Sequence, residues 1–139
     1  MTKVRDILDT SIPSVSPTAS MTEVTEEMKQ SRVDMVVVSD RGKYRGLIEG
    51  GNVATRMSAK RLNLKKTTAK SLANKDWPLI SPGADTWDAL KVMVRNHVEV
   101  LPVVQNGRLV GVFTLEEATR DSPALRAMAL ISSQRSNRR

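Results

Sequence analysis

Set against itself, the chain matches at one offset, 65 residues, and needs no gap to do so. Identities fall at Pro13 and Pro78, Ser16 and Ser81, Pro17 and Pro82, Ala19 and Ala84, and Met28 and Met93. They continue at Val33 and Val98, Val38 and Val103, Gly42 and Gly107, and Gly46 and Gly111. Apolar character is kept at Val15 with Ile80, Val24 with Ala89, Val36 with Leu101, and Leu47-Ile48 with Val112-Phe113. A period of this length marks one supersecondary unit made twice. The copies run over residues 1–58 and 66–121, with a connector at 59–65 and a closing segment at 122–139.

Each copy has the same local order. An apolar run, Ile12 to Val15 or Trp77 to Ile80, ends at Ser-Pro, where the missing N–H of proline stops a strand. Ser20 and Asp85 then stand as N-caps, with Glu23 and Asp88 three residues on, close to a capping box. In the second copy Trp87, Ala89, Leu90, Met93 and Val94 form the apolar stripe of the helix that follows. Two β-branched runs come next, joined through Asp40-Arg41-Gly42 or Gln105-Asn106-Gly107, where glycine supplies the positive φ of a hairpin turn. A last helix begins near Asn52 and near Leu115. The predicted class is α+β: two tandem β-α-β-β-α repeats packed into one module, with a short C-terminal helix.

Composition narrows the chemistry. With no Cys and one His among 139 residues, thiolate nucleophiles, Cys-ligated metals and a His-dependent triad are excluded or left without partners, so no enzyme activity is expected. His97 alone reads as a surface residue. Met21, Met28, Met35 and Met93 read as core filling, and Trp77 and Trp87 as packing residues. No run nears the roughly 18 apolar residues of a membrane span, and the charged start does not read as a signal peptide, so a soluble cytoplasmic protein without membrane contact is expected.

The formal charge of +7 sits in two places. Residues 50–75 hold Arg56, Lys60, Arg61, Lys65, Lys66, Lys70 and Lys75 with no acid, and residues 122–139 hold four arginines with none. The remainder, 11 cations against 15 acids, is mildly acidic. Such basicity raises nucleic acid as a partner, but Trp77, Trp87, Tyr44 and Phe113 are too few and too core-like for a base-stacking platform. In the closing segment Leu125, Met128, Ala129 and Ile131 recur at near-helical spacing, before a basic end at Ser132–Arg139.

Ser-Pro ending the first strand, Leu-Pro-Val-Val in the second and Gly-apolar-apolar-Thr before the last helix together resemble the cystathionine-β-synthase (CBS) domain family, over nearly the whole chain in two copies. The second copy, Asn96 to Val104 and Asn106 to Thr114, is the nearer likeness. The resemblance implies a regulatory module in which an adenosine-containing ligand (AMP, ADP, ATP or S-adenosylmethionine) occupies a cleft between repeats. It further implies a homodimer, a regulated protein partner of unknown identity, and no catalytic cofactor; whether Mg accompanies a polyphosphate ligand stays open. The family signature Gly-apolar-apolar-Thr/Ser-x-x-Asp/Asn places a hydroxyl and helix N-terminal N–H groups against phosphate and a carboxylate or amide against ribose. On this chain the second copy keeps Thr114 and has Glu117 for Asp, with Ile80, Ser81, Leu101 and Pro102 nearby, so the resemblance implies that the one competent nucleotide cleft is here. The first copy has Asn52 at the ribose position but Glu49 in place of the hydroxyl, which implies a cleft that is empty or takes a ligand without phosphate at that point. Three other readings stand beside this one. Thr114-Leu115-Glu116-Glu117 is itself a Thr-x-x-Glu capping box and needs no ligand. The chain could also be a nucleic-acid module using connector and tail, or a structural dimer with vestigial clefts.

Overall fold

A computed structural model describes residues 2–127 and 130–131. Met128, Ala129 and the basic end at 132–139 lie outside the described residues. The chain divides into two compact units. The repeat-1 unit holds Ser11–Trp77 and the hairpin tip Asn106–Leu109; the repeat-2 unit takes the opening ten residues, Pro78–Gln105 and the chain from Val110 onward.

In the repeat-1 unit, β1 (Ser14–Val15) runs parallel to β2 (Met35–Asp40), with Ser14 opposite Val37 and Val15 opposite Val38. The strand is shorter than the sequence predicts, because Pro13 enters the ladder only as an acceptor, its carbonyl taking the Val37 N–H at 3.0 Å. β2 turns back antiparallel into β3 (Lys43–Glu49) through Arg41 and Gly42, at φ 52° and 86°. Two successive positive-φ residues suit a two-residue hairpin turn whose twist matches the strands. Between β1 and β2, α1 (Met21–Ser31) is capped as expected: the Ser20 hydroxyl accepts from the Glu23 N–H at 3.2 Å. Its buried Met21, Val24 and Met28 lie at helical spacing and join Val36, Val38 and Ile48 of the sheet in one core.

α2 (Gly50–Lys60) starts directly after β3, its first N–H donating to the Asp34 carbonyl at 2.8 Å. It takes in Lys60 of the predicted connector and ends at Arg61, φ 51°. The rest of the connector is folded: Leu62 packs on the core, and the Leu64 carbonyl accepts from the N–H of Thr22 on α1 at 3.2 Å. A one-turn helix that the sequence pattern did not indicate, α3 (Ala69–Leu72), buries both of its terminal residues.

The repeat-2 unit follows the same plan, with α4 (Thr86–Asn96), β4 (Val100–Gln105), β5 (Arg108–Thr114) and α5 (Leu115–Asp121). The predicted strand Trp77–Ile80 is not formed. Ile80 makes a single parallel bridge to Val103, its N–H going to the Pro102 carbonyl at 3.1 Å and its carbonyl taking the Val104 N–H at 3.0 Å. Pro78 supplies no N–H to extend the pairing. On α4 the buried stripe is Thr86, Ala89, Leu90 and Met93; Val94, expected in it, is 38% exposed. Asp85 precedes the helix but makes no capping bond, its carboxylate being taken by Lys3 Nζ at 2.6 Å. His97 is an exposed helix-ending residue at φ 56°. Leu125 is buried against Val4, Leu101 and Phe113, whereas Ile131 is exposed.

The 65-residue register extends to contacts the sequence gave no sign of. Each repeat body is closed by a segment that precedes the other body in the chain. Met21 N–H donates to Thr67 carbonyl at 2.8 Å, and Thr86 to Thr2 at 3.1 Å. Ala69 donates to Ala19 at 2.8 Å, and Val4 to Ala84 at 2.9 Å. Leu47 and Asn74 exchange both backbone bonds, as do Val112 and Asp9. Residues 67–77 therefore finish the first repeat, and residues 2–10 the second. The room for this comes from glycine: a Cβ on Gly46 would stand 2.9 Å from Ala73 Cβ, and one on Gly111 would stand 3.1 Å from the Asp9 carbonyl oxygen.

Candidate functional site

The sequence-predicted residues fall in both units. In the repeat-2 unit Thr114 ends β5 and caps α5, its Oγ1 accepting from the Glu117 N–H at 3.1 Å. Glu117 turns its carboxylate to the surface, where Oε1 accepts from Arg120 Nη1 at 3.4 Å while Glu116 accepts from Arg120 Nη2 at 3.1 Å. Ile80 and Pro102 are joined through the backbone, Leu101 and Pro102 are buried, and Ser81 is exposed. Of the capping box foreseen, the Thr114 half is thus present, while the Glu117 carboxylate is engaged by Arg120.

Asn52 stands elsewhere, in the wall of a cavity of about 330 Å³ that lies wholly within the repeat-1 unit. Three pieces of chain build it. The end of β3 contributes Leu47, Ile48 and Glu49; α2 contributes Asn52, Val53 and Arg56. The segment that closes this repeat, residues 67–77 and hereafter the closing segment, contributes the run from Leu72 to Trp77. The spacing 49, 52, 53, 56 is one face of a helix, which is why these side chains look into one space. Leu47, Ile48, Val53, Leu72 and Trp77 are buried, so the floor is apolar, while Asn52, Asn74, Lys75 and Asp76 form an exposed polar margin. Arg56 is half-buried and donates from Nη1 to the Leu72 carbonyl at 3.1 Å, tying α2 to the closing segment. Asn74 is held by its backbone exchange with Leu47, and its Oδ1 accepts the Asp76 N–H at 2.9 Å. An apolar floor with a few convergent polar groups at this volume has the form of a small-molecule site.

The sequence had marked Glu49 and Asn52 here, and Arg56 and Lys75 only as connector cations. The closing segment was missed because residues 72–77 and 7–12 share no identity at the 65 offset; only the apolar pairs Leu72 with Ile7, Ala73 with Leu8 and Trp77 with Ile12 hint at it. Among the described residues no group of three or more His, Asp or Glu is placed to hold a metal ion, and no helix is long and apolar enough to cross a membrane.

Among the described residues two groups have displaced titrations. The Tyr44 hydroxyl is buried with no hydrogen-bond partner, and burial pushes its pKa up to about 12. Asp85 is held below the usual carboxylate range by its hydrogen bond from Lys3.

A family model for the CBS domain matches residues 4–58 and 69–131, most of both repeats. The chain belongs to the CBS domain family. Among relatives of this CBS pair is the CBS domain-containing protein YhcV of Bacillus subtilis, 26% identical over 115 residues, covering 83% of this chain and 81% of that one. Hypoxic response protein 1 of Mycobacterium tuberculosis is 24% identical over 124 residues, covering 88% and 87%. A crystal structure of Hypoxic Response Protein I with two coordinated zinc ions superposes with a TM-score of 0.80 at 24% identity, covering 88% of this chain and all of that one. CBSX2 in complex with AMP superposes at 0.78 and 17% identity, covering 91% and 99%. At these identities the structural likeness is one of fold, and it establishes a mixed α and β CBS-pair architecture.

Proposed function

We propose that this CBS pair is a non-enzymatic regulatory module that binds an adenosine-containing ligand and signals through a protein partner or through its own homodimer. The observation that carries the reading is the cavity beside Asn52, since its position on α2 is the ribose position of the family signature and its floor is apolar enough for a purine. The AMP complex of CBSX2 supports the ligand class. In the repeat-2 unit the locus expected from the sequence, Thr114 and Glu117 with Ile80, Ser81, Leu101 and Pro102 beside them, is proposed alongside it. Ligand occupancy changes output only through a difference in affinity between two arrangements of the module.

The test is thermal unfolding in moderate salt with AMP, ADP, ATP and S-adenosylmethionine, with GTP and free triphosphate as controls. A ligand at 100 times its dissociation constant adds about 2.7 kcal/mol. A shift specific to adenosine compounds, reduced by Asn52→Ala or Thr114→Ala, supports the reading and says which locus is used. No shift, or one equalled by triphosphate, refutes it.

One observation favours a second reading, a polyanion partner such as nucleic acid. Among the described residues all ion pairs lie in the repeat-2 unit, while the repeat-1 unit carries thirteen Lys and Arg against seven acids without one pair. Binding of this kind falls steeply with salt, which separates it from cavity binding of a nucleoside.

A further inference from the structure

We infer that the repeat-1 unit carries a nucleic-acid contact at its hairpin tips, where Arg41, Lys43, Arg45 and Arg108 meet the phosphate backbone and no base is read. This rests on the second reading above, a polyanion partner, and gives that partner a class and a place on the fold.

The turn between β2 and β3 lies against the tip Asn106–Leu109 within the repeat-1 unit. Lys43 stands directly opposite Arg108 in the antiparallel pairing of β3 with β5. The backbone bonds belong to their neighbours: the Tyr44 N–H donates to the Gly107 carbonyl at 2.9 Å, and the Leu109 N–H to the Gly42 carbonyl at 2.9 Å. A non-hydrogen-bonded pair of this kind brings its two side chains closest together, on one face of the sheet. Here both are exposed cations, and like charges directly opposite destabilise a sheet. Asp40 stands opposite Lys43 on β2, yet among the described residues no carboxylate lies within ion-pair distance of Lys43 or Arg108.

The cations around this pair are held by the backbone. The Arg108 guanidinium lies over the turn, Nη2 donating to the Arg41 carbonyl at 3.3 Å, and a Cβ on Gly42 would stand 2.5 Å from that nitrogen. Its remaining N–H groups stay open to an anion. Arg45 is the extra residue of a bulge: Val38 pairs with Gly46 and Ser39 with Tyr44, so Arg45 has no partner on β2 and is exposed. Arg41 takes the left-handed turn position, φ 52°, where the second copy has Asn106, the kind of residue that position favours. The turn itself therefore does not call for a guanidinium. Four exposed cations face one acid, Asp40.

A phosphate between Lys43 and Arg108 turns their repulsion into attraction. Further phosphates on the same polymer serve Arg41 and Arg45, which a single small anion does not. Duplex DNA carries one charge per about 1.7 Å, against one per about 3.3 Å on an extended acidic peptide, and so suits a cluster this tight. Tyr44, Trp77, Trp87 and Phe113 are all at least partly buried, which leaves no exposed ring to stack a base and confines the contact to the backbone. None of the four cations lines the cavity beside Asn52.

The test is fluorescence anisotropy of a short labelled DNA duplex with the whole chain, from about 50 to 200 mM salt. With about three to four phosphates met, log affinity is expected to fall on log salt with a slope of about −3, equally for duplexes of different sequence. Lys43→Ala and Arg108→Ala are each expected to weaken binding about fivefold and to make the slope about 0.9 shallower, while Lys43→Arg keeps both. Arg108→Glu sets opposite charges in register; it is expected to lose binding and to keep a urea midpoint no lower than wild type. Asn52→Ala, and Lys65→Ala with Lys66→Ala, are expected to leave the slope unchanged. Undiminished binding by Arg108→Glu, or a slope that falls in the Lys65 and Lys66 variant instead, overturns the placement and leaves a polyanion partner standing. A lowered midpoint in Arg108→Glu overturns the repelling pair on which the placement is built. Polyglutamate or inorganic triphosphate competing as well as unlabelled duplex overturns nucleic acid as the class. Absence of binding to both duplex and polyglutamate at about 50 mM salt overturns the placement and the polyanion reading together.

Discussion

Gly46→Ala measures whether the closing segment lies against β3 as tightly as the backbone contacts require. Gly46 has φ 140°, a conformation that costs an L side chain about 1–3 kcal/mol. The new methyl would stand 2.9 Å from Ala73 Cβ and 3.1 Å from the Asn74 carbonyl oxygen, and neither atom is the far end of a flexible side chain. Forcing that contact apart adds about 1–3 kcal/mol, and the stiffer unfolded chain returns about 0.4–1 kcal/mol. The net destabilisation is about 2–4 kcal/mol, a fall of roughly 1–2 M in urea midpoint at an m-value near 2 kcal/mol/M. Two other glycines calibrate the terms. Gly107→Ala keeps the backbone strain, at φ 78°, but meets nothing within 4 Å, so about 1 kcal/mol is expected. Gly51→Ala lies inside α2 with open space around it and is expected to stabilise by about 0.5–1 kcal/mol. The order of urea midpoints should be Gly51→Ala, wild type, Gly107→Ala, Gly46→Ala. If Gly46→Ala and Gly107→Ala unfold within about 0.5 kcal/mol of each other, the close approach of residues 73–74 to β3 is wrong, and with it the wall of the cavity.

Other outcomes follow from single groups. Tyr44→Phe removes a buried hydroxyl that has no partner, so its stability at pH 7 should change by less than about 1 kcal/mol in either direction, by urea unfolding. The same variant should lose a pH effect: with the folded phenol titrating near 12 and the unfolded one near 10, the folded state holds the proton longer, and wild-type stability should fall between pH 10 and 12 where Tyr44→Phe does not. Asp85 is displaced the other way. Its stabilisation by Lys3 is present above the ordinary value of 3.8 and lost as pH falls through the lowered one, so Asp85→Asn should flatten acid unfolding below about pH 4. Thr114→Ala removes the cap of α5 and should destabilise by about 1 kcal/mol in urea; a loss of adenosine binding well beyond that, read by titration, would mark it as a contact.

The repeat carried most of the fold because it fixed two hairpins, the helix that precedes each and their register from residues whose chemistry is local. Arg41-Gly42 and Asn106-Gly107 need no distant partner to make a tight turn, and Ser20 needs only Glu23. What local chemistry could not reveal was the exchange of closing segments, since Val4 and Ala69 are ordinary small apolar residues whose burial is decided by strands far away in sequence. The site was legible in part for the same reason. Glu49 and Asn52 stood out against the family signature, but Arg56 and Lys75 were only members of the acid-free basic stretch at 50–75 until the bond from Arg56 to the Leu72 carbonyl and the Leu47–Asn74 exchange brought α2 and residues 72–77 to one cavity.

The two copies separate what the fold requires from what chemistry requires. Backbone contacts recur at matched positions: Gly50 with Asp34 and Leu115 with Glu99, Leu47 with Asn74 and Val112 with Asp9. Carbonyls and N–H groups are indifferent to the side chains attached to them, so these pairings survive when Asn becomes Asp or Gly becomes Leu. The side chains at the start of the last helix are under no such constraint and have diverged, Glu49 against Thr114, Asn52 against Glu117 and Arg56 against Asp121. A helix whose first turn bears Thr and two glutamates satisfies its own N-terminus, as Thr114 does. One that begins Glu-Gly-Gly-Asn leaves its N-terminal N–H groups without a capping side chain and lines a cavity with a carboxylate, an amide and, a turn later, a guanidinium. The start of the last helix in the first repeat therefore faces a cavity, while in the second repeat Thr114 caps its own helix.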